Sequence, residues 1–223
     1  MPEEASHISK AIKANIQSLK IVPQKSYEEK ESEDRRARWN NSIRDILKSS
    51  GLPHRHKGFK ISESSNTEWL LKFTKLEEQI SNSHGMFALI GPRGTGKTQL
   101  AVSLAESFCY RSGDTVKYSK TMEFFMDLKT TYSDNEQSET DIITLYARPR
   151  LLVLDEMQVR SDSDWENNML TYLIDKRYDA SKSTIMISNL TDLKFKESVG
   201  PSIYDLLCED GGIIECNWGS FRE

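Results

Sequence analysis

The segment Gly91–Thr98 has the composition and spacing of a phosphate-binding loop. Its sequence, GPRGTGKT, fits the pattern G-x-x-x-x-G-K-[ST], in which glycines let backbone N–H groups turn toward a polyphosphate. The apolar run Met86–Ile90 precedes the loop and a helical pattern follows it, so a helix N-terminus would also face the anion. This order of elements predicts a nucleotide-binding site.

Two residues of the loop have specific expected roles. Lys97 is expected to reach the β- and γ-phosphates as a catalytic residue, and the Thr98 hydroxyl is expected to bind Mg²⁺. The residues expected to contact ATP are Gly91, Pro92, Arg93, Gly94, Thr95, Gly96, Lys97, Thr98 and Gln99.

Two acidic residues, Asp155 and Glu156, follow a second apolar run, Leu151–Leu154. Open α/β sheets bind ligands at the carboxyl edge of their strands, so Asp155 is expected to hold Mg²⁺ there. Glu156 is then placed to orient or deprotonate an attacking water as a catalytic residue. Adjacent Asp and Glu favour a hydrolase, and the sequence has no NKxD-type guanine-binding motif. We therefore expect hydrolysis of ATP.

The elements that must position these groups alternate between strand and helix patterns after residue 85. Strands that are apolar throughout and separated by helices are typical of a parallel sheet covered on both faces, which predicts an α/β fold. The expected strands are 86–90, 115–119, 151–155, 184–189 and 212–218, and the expected helices include 97–111, 123–131, 163–180 and 202–209.

The N-terminal part of the chain differs from the remainder in net charge and in the spacing of its apolar residues. Residues 1–60 contain 13 Lys and Arg against 8 Asp and Glu, a net charge of +5, whereas residues 61–223 carry 17 against 26, a net charge of −9. Residues 6–20 and 27–50 have the apolar spacing of amphipathic helices. We expect a helical partner-binding region over 1–50, a linker and lead-in helix over 51–84, and the ATPase domain over 85–223.

The composition favours a soluble, cytoplasmic protein. The longest apolar runs have four or five residues, whereas a membrane span needs about 18. The first residues, MPEEASHISK, contain no apolar signal region. The cysteines Cys109, Cys208 and Cys216 form no CxxC pair, which argues for reduced thiols and against a zinc site.

Four stretches together resemble the bacterial DnaC/IstB group of AAA+ ATPases, which contains replicative-helicase loaders, their phage-encoded relatives and helper ATPases of insertion sequences. They are the phosphate-binding loop, LLVLDE, the run LIDKRYDASKSTIMISNL after Trp165, and the ending CNWGSFRE. The resemblance covers roughly residues 50–223. It implies a RecA-like core with little or no helical lid, ATP and Mg²⁺ as cofactors, and a homo-oligomer formed on ATP binding.

The resemblance also implies roles for residues outside the two motifs. Asn189 would lie between the acids and the γ-phosphate as a catalytic residue, although Asn-Leu-Thr-Asp is also an ordinary turn after a strand. Phe124, Phe125 and Lys129 would contact single-stranded DNA by stacking and charge, unless the aromatic rings belong to the core. The expected contacts with a replicative helicase are Trp39, Ile43, Ile46 and Leu47 on an apolar helix face.

The sequence departs from this family at two arginine positions. The family usually has Gly-x-Arg-x-x-Asp-Arg after the sensor strand, and these arginines serve the nucleotide of the neighbouring subunit. Here Ser202 and Leu206 occupy the two positions. Because such an arginine raises the turnover rate about 10³–10⁵-fold, we expect ATP binding with slow hydrolysis. Arg160, Arg177, Arg222 or a partner protein are the alternative sources of the missing cation.

These inferences favour a bacterial or phage-encoded loader that uses ATP to deliver a replicative helicase to single-stranded DNA. Two alternatives stay open. An IstB-like transposition helper would share the ATPase and differ in its partner, and an adaptor would bind ATP with negligible hydrolysis. The helical front favours the loader, whereas the missing arginines favour the adaptor.

Overall fold

Five parallel strands form the central sheet in the part of the chain that the structure describes. The computed structural model describes residues 27–61, 64, 66–132 and 137–221. The strands are β1 (Met86–Ile90), β2 (Val116–Lys120), β3 (Leu151–Asp155), β4 (Ser183–Ile187) and β5 (Gly211–Glu215). They lie in the order β2-β3-β4-β1-β5, and neighbouring strands are parallel. The α/β architecture predicted from the sequence is confirmed.

Helices cover both faces of this sheet. The helices in the described part of the chain are α1 (Tyr27–Ser49), α2 (Thr67–Asn82), α3 (Lys97–Ser112), α4 (Thr121–Thr130), α5 (Glu139–Ala147), α6 (Asp164–Asp179) and α7 (Asp192–Glu209). A short 3-10 helix, His54–His56, lies between α1 and α2. In the part of the chain that the structure describes, no helix is long and apolar enough to cross a lipid bilayer.

Alternate side chains of the strands enter two separate apolar cores. In β1, Phe87 and Leu89 belong to the first core, whereas Met86, Ala88 and Ile90 belong to the second. The first core also contains residues of α2 and α3, and the second contains residues of α4, α5, α6 and α7. Burial of both faces explains why this strand is apolar at every position.

The last part of the domain differs most from the sequence-based prediction. Helix α7 begins at Asp192, ten residues before its predicted start at residue 202, and it is kinked at Gly200 (φ 81°), just before Pro201. Strand β5 ends at Glu215, three residues before its predicted end at residue 218. After the strand, the Trp218 indole donates to Thr95 O in the phosphate-binding loop.

The described residues fall into two units that part within α1, between Trp39 and Asn40. This division differs from the boundary expected after residue 50. Ile43 belongs to the second unit, where it is 1% exposed in the first core, and Ile46 and Leu47 pack against that core. The prediction that Ile43 lies on a free face for a helicase is therefore wrong, because the chain's own core covers it. The helix predicted over residues 6–20 lies outside the described residues.

Candidate nucleotide-binding site

The loop between β1 and α3 is shaped by glycine. Gly91 and Gly96 have φ values of 127° and 75°, in the left-handed region that residues with a side chain rarely adopt. A Cβ atom on Gly91 would also lie 2.7 Å from the carbonyl oxygen of Cys216. Lys97 begins α3, so the loop leads directly into a helix N-terminus. The loop thus has the backbone form that a phosphate site requires.

The Lys97 side chain lies inside this loop. Its Nζ donates to the carbonyl oxygens of Gly91 (2.8 Å) and Pro92 (2.6 Å) and lies 3.4 Å from Thr95 Oγ1. Lys97 is 5% exposed, so water screens its charge only weakly. A phosphate that entered the loop would meet this ammonium group and the N-terminus of α3 together.

The Thr98 hydroxyl and the Asp155 carboxylate are in direct contact. Thr98 Oγ1 donates to Asp155 Oδ2 at 2.8 Å. Hydroxyl and carboxylate oxygens are the hard ligands that Mg²⁺ prefers, so this pair fits the predicted metal site.

A third side chain, Tyr118, completes this cluster. Its hydroxyl donates to Asp155 Oδ2 at 2.7 Å. Burial, together with the neighbouring Asp155 carboxylate, raises the pKa of Tyr118 well above its usual range, so the phenol stays protonated and remains a donor at neutral pH. Sequence reasoning missed Tyr118, because its position depends on the pairing of β2 with β3, where it lies opposite Val153.

Glu156 has an uncommon backbone conformation at the end of β3. Its φ of 58° is in the left-handed region, and its N–H donates to Asp155 Oδ1 at 2.6 Å. Its carboxylate lies 3.1 Å from Lys120 Nζ at the end of β2. The acid expected to activate water is therefore paired with a lysine in this arrangement.

Asn189 follows β4 and lines the same cavity as Lys97 and Glu156. Its backbone N–H donates to Gln158 Oε1 at 3.1 Å, and Ser188 Oγ lies 3.4 Å from the same oxygen. Gln158 thus links the segment after β3 to the end of β4. Sequence reasoning did not select Gln158, because an amide side chain in a loop carries no spacing signal.

The cavity that joins these groups has a volume of about 840 Å³. Segments before β1 and after β5 supply part of its wall through Gly51, Pro53, His56, Phe59, Trp69 and Phe221. The wall near His56 is fixed to α3, because His56 Nδ1 lies 2.8 Å from Gln99 Oε1 and Gln99 Nε2 donates to His56 O at 2.9 Å.

The residues expected to contact ATP divide into two groups. Gly91, Pro92 and Thr95 supply the oxygen atoms around Lys97 Nζ. Among the residues expected to contact ATP, those that line the cavity are Arg93, Gly94, Gly96, Lys97, Thr98 and Gln99.

Arg177, one candidate replacement for the missing arginines, has a structural position. It is 0% exposed, and its guanidinium donates to Pro149 O at 2.8 Å and Thr184 Oγ1 at 2.9 Å. Burial, followed by the charge of Arg150, lowers the pKa of Arg177 to about 9. Its contacts hold the segment before β3 to β4, so it does not reach a neighbouring subunit.

Arg160 is also committed to contacts within the chain. Its side chain is 0% exposed, its Nε lies 2.6 Å from Asp162 Oδ1, and its Nη2 donates to Ser198 O on α7. The third candidate, Arg222, lies outside the described residues. The side chains of Arg160 and Arg177 are therefore both buried and held by contacts within the chain.

The aromatic side chains expected to contact DNA are buried. Phe124 and Phe125 are each 0% exposed in the second core, so the alternative that these rings belong to the core is confirmed and the one that they stack on single-stranded DNA is wrong. Lys129 is exposed, and its Nζ lies 5.6 Å from the centre of the Trp165 ring. The Tyr132 ring, 66% exposed, lies 6.2 Å from Trp165. The exposed cation near α4 is thus the predicted Lys129, whereas the exposed aromatic ring is Tyr132 in place of Phe124 or Phe125.

Comparison with known proteins identifies relatives over most of the chain. A model of the family described as IstB-like ATP binding protein matches residues 15–221. The protein of Escherichia coli K12 described as uncharacterized protein YdaV is 26% identical over 205 residues, which cover 89% of this chain and 80% of YdaV. The replicative helicase loader DnaC of the same organism is 24% identical over 154 residues, which cover 69% of this chain and 62% of DnaC. The match thus spans less than two thirds of DnaC.

Solved structures share the fold. The crystal structure of the DnaC helicase loader matches 73% of this chain and 99% of its own, with a TM-score of 0.63 and 20% identity. The structure of AMPPCP-bound DnaA from Aquifex aeolicus matches 74% of this chain and 50% of its own, with a TM-score of 0.60 and 18% identity. These likenesses confirm the predicted RecA-like core. From the match over residues 15–221, the chain belongs to the IstB-like ATP-binding protein family and is a DnaC/IstB-type AAA+ ATPase.

Proposed function

We propose that this protein hydrolyses ATP to deliver a replicative DNA helicase to single-stranded DNA. One observation carries the proposal: in a chain of an ATP-binding family, side chains suited to bind phosphate, hold a metal and activate water line one cavity. These side chains are Lys97, Thr98, Asp155, Glu156 and Asn189.

The proposed hydrolysis assigns one task to each side chain. Lys97 balances the charge of the β- and γ-phosphates, and Thr98 and Asp155 hold Mg²⁺, which supplies a Lewis acid when bound. Glu156 leaves Lys120 to orient the attacking water. Asn189, at the end of β4, senses the γ-phosphate.

The partners are proposed from similarity and from exposed side chains. DnaC, which resembles this chain over 154 residues, is a replicative helicase loader. Trp39 is 42% exposed and lines a groove with Ser32, Arg35 and Arg36, so this face of α1 is the proposed helicase contact. Lys129 and Tyr132, which both lie near the Trp165 ring, are the proposed contacts with single-stranded DNA.

A second candidate function is an adaptor that binds ATP with negligible hydrolysis. It is favoured by Ser202 and Leu206 at the usual arginine positions and by the burial of Arg160 and Arg177. In this alternative, ATP binding alone drives self-association and the partner contact.

A helicase-loading assay tests the proposal. The protein is mixed with the replicative helicase of the same host and labelled single-stranded DNA, and helicase bound to DNA is measured with and without ATP. Loading by the wild type, with loss of ATP turnover in Glu156→Gln, supports the loader. A protein shortened to begin at Asn40 keeps Ile43 in the core, and we expect it to bind ATP but not helicase.

The other outcomes distinguish the alternatives. Binding to a transposase in place of the helicase would identify a transposition helper. ATP-dependent binding to the helicase without turnover, in the presence and absence of DNA, would identify the adaptor.

A further inference from the structure

The segment after β5 runs along the phosphate-binding loop and donates hydrogen bonds to it. The Trp218 indole Nε1 donates to Thr95 O at 2.8 Å, and the Phe221 backbone N–H donates to Gly94 O at 2.8 Å. Trp218 is buried, whereas Phe221 is 48% exposed. Two neighbouring carbonyl groups of the loop are thus held by one segment from the other end of the domain.

The next carbonyl group of the loop is also held from outside. Trp69 Nε1, on α2, donates to Gly96 O at 3.4 Å, and this oxygen also accepts the helical hydrogen bond from Leu100 N at 2.8 Å. Three consecutive carbonyl groups therefore have donors that the loop itself does not provide. The carbonyl clamp is the set of these donors: the Trp69 indole, the Trp218 indole and the Phe221 N–H.

The clamp determines where the N–H groups of the loop point. In a planar trans peptide, the C=O of one residue and the N–H of the next point in opposite directions. Holding the carbonyl groups of residues 94–96 toward the clamp therefore turns the N–H groups of residues 95–97 away from it. A loop of this kind surrounds phosphates with such N–H groups.

The Phe221 ring lines the nucleotide cavity in addition. Two of its ring atoms lie 3.0 and 3.2 Å from the position that a Cβ atom on Gly96 would occupy, so the ring covers the end of the loop. Phe59 and Trp69 line the same cavity and pack with ring centres 5.8 Å apart. This apolar wall suits a nucleoside better than a phosphate chain.

We infer that the segment 216–221 is a nucleotide-positioning element with two separable tasks. Trp218 and the Phe221 N–H hold the loop in its phosphate-binding form, and the Phe221 ring contacts the nucleoside. The inference deepens the proposed function, because it rests on nucleotide binding at this site.

Two substitutions at one exposed position separate the tasks. Phe221→Ala removes the aromatic ring and keeps the backbone N–H, whereas Phe221→Pro removes the aromatic ring and the backbone N–H. Binding of ATP and of inorganic triphosphate is measured by calorimetry with Mg²⁺ present. We expect Phe221→Ala to weaken ATP binding about fivefold and to leave triphosphate binding unchanged. We expect Phe221→Pro to weaken the binding of both ligands, by about five- to tenfold for triphosphate, which corresponds to the loss of one hydrogen bond.

A substitution of Trp218 tests the clamp independently. Trp218→Phe keeps an aromatic ring in the buried position but removes the indole donor, and Trp165→Phe is the matched control outside the site. We expect Trp218→Phe to weaken ATP and triphosphate binding by equal factors and Trp165→Phe to weaken neither. The melting temperature of each variant tests whether its fold is intact. If Trp218→Phe does not fold, the comparison of Phe221→Ala with Phe221→Pro still tests the clamp.

The results that overturn the inference differ from those that overturn the proposed function. If Phe221→Pro and Trp218→Phe each bind ATP and triphosphate as tightly as the wild type does, the inference is overturned. Nucleotide binding at the site is then unaffected. A wild-type protein that binds neither ligand overturns the proposed function, and the inference with it.

Discussion

Asp155 accepts hydrogen bonds on both oxygens of its carboxylate. Thr98 and Tyr118 donate to Oδ2, and the Glu156 N–H donates to Oδ1. Asp155 is 5% exposed, and a carboxylate can be buried at such a place only when it is paired or hydrogen-bonded. The three donors therefore hold the carboxylate in one orientation, which a metal site requires.

Replacing Lys97 tests phosphate binding. We expect Lys97→Ala to weaken ATP binding about 10- to 100-fold, because a charge-assisted hydrogen bond to phosphate is lost. Calorimetry measures the affinity, and Lys75→Ala, at an exposed position on α2, is the control. Unchanged affinity in Lys97→Ala would contradict the assigned phosphate site.

Replacing Glu156 separates binding from hydrolysis. Glu156→Gln keeps the size of the side chain but cannot take a proton from water, so we expect turnover to fall about 10²–10⁴-fold while ATP affinity stays within a factor of about three. Steady-state hydrolysis and calorimetry measure the two quantities. If the variant and wild type turn over ATP equally, Glu156 has no catalytic role.

The end of α1 is part of the ATPase core. Ile43 packs in the first core with Leu52 and Trp69, and Tyr118 N donates to Ser50 O at 2.7 Å, just after the helix. The segment after α1 then continues along the cavity wall. The end of this helix thus packs into the domain that carries the site, although its apolar face was expected to be free for a partner protein.

Replacing Ile43 tests this assignment. We expect Ile43→Ala to lower the free energy of unfolding by about 2–5 kcal/mol, because a buried side chain is truncated and a cavity remains. Trp39→Ala, four residues earlier and exposed, should change it by no more than about 0.5 kcal/mol. Denaturant unfolding measures both. Equal stabilities of the two variants would place Ile43 on a free face after all.

The proposed hydrolysis requires a cation that Ser202 and Leu206, at the usual arginine positions, do not supply. Ser202 is exposed, whereas Leu206 is half-buried and packs against the second core. With Arg160 and Arg177 held by internal contacts, the remaining sources of a cation are a partner protein and Arg222, outside the described residues. An arginine that acts between subunits would make turnover depend on protein concentration.

Introducing an arginine tests this dependence. We expect the wild type to hydrolyse ATP slowly and Ser202→Arg to raise turnover at least about tenfold at high protein concentration. This lower bound lies well below the roughly 10³–10⁵-fold that such a group can contribute. Leu206→Arg should lower stability because it places a charge against a core. ATP turnover is measured over a range of protein concentrations. Fast, concentration-dependent turnover in the wild type would contradict the expectation and direct attention to Arg222.

Contacts between sequence neighbours were predictable from the sequence. The phosphate-binding loop, the acids after β3 and the alternation of apolar strands with helices all depend on residues within a few positions of one another. These local patterns were sufficient to predict the α/β fold and to select most side chains of the candidate site. Strand β1, which lies between Gly85 and Gly91, and strand β3, which follows Arg150 and ends at Asp155, were located at their observed ends.

Contacts between distant segments were decided by the tertiary structure alone. Helical spacing is the same whether an apolar face meets the chain's own core or a partner, so the sequence could not decide whether Ile43 and Phe124 are buried. Tyr118, Trp218 and Phe221 reach the site through strand pairing and through the path of the chain after β5, which leave no spacing signal. Burial of a polar side chain, as for Arg177, likewise depends on which surfaces meet in the fold.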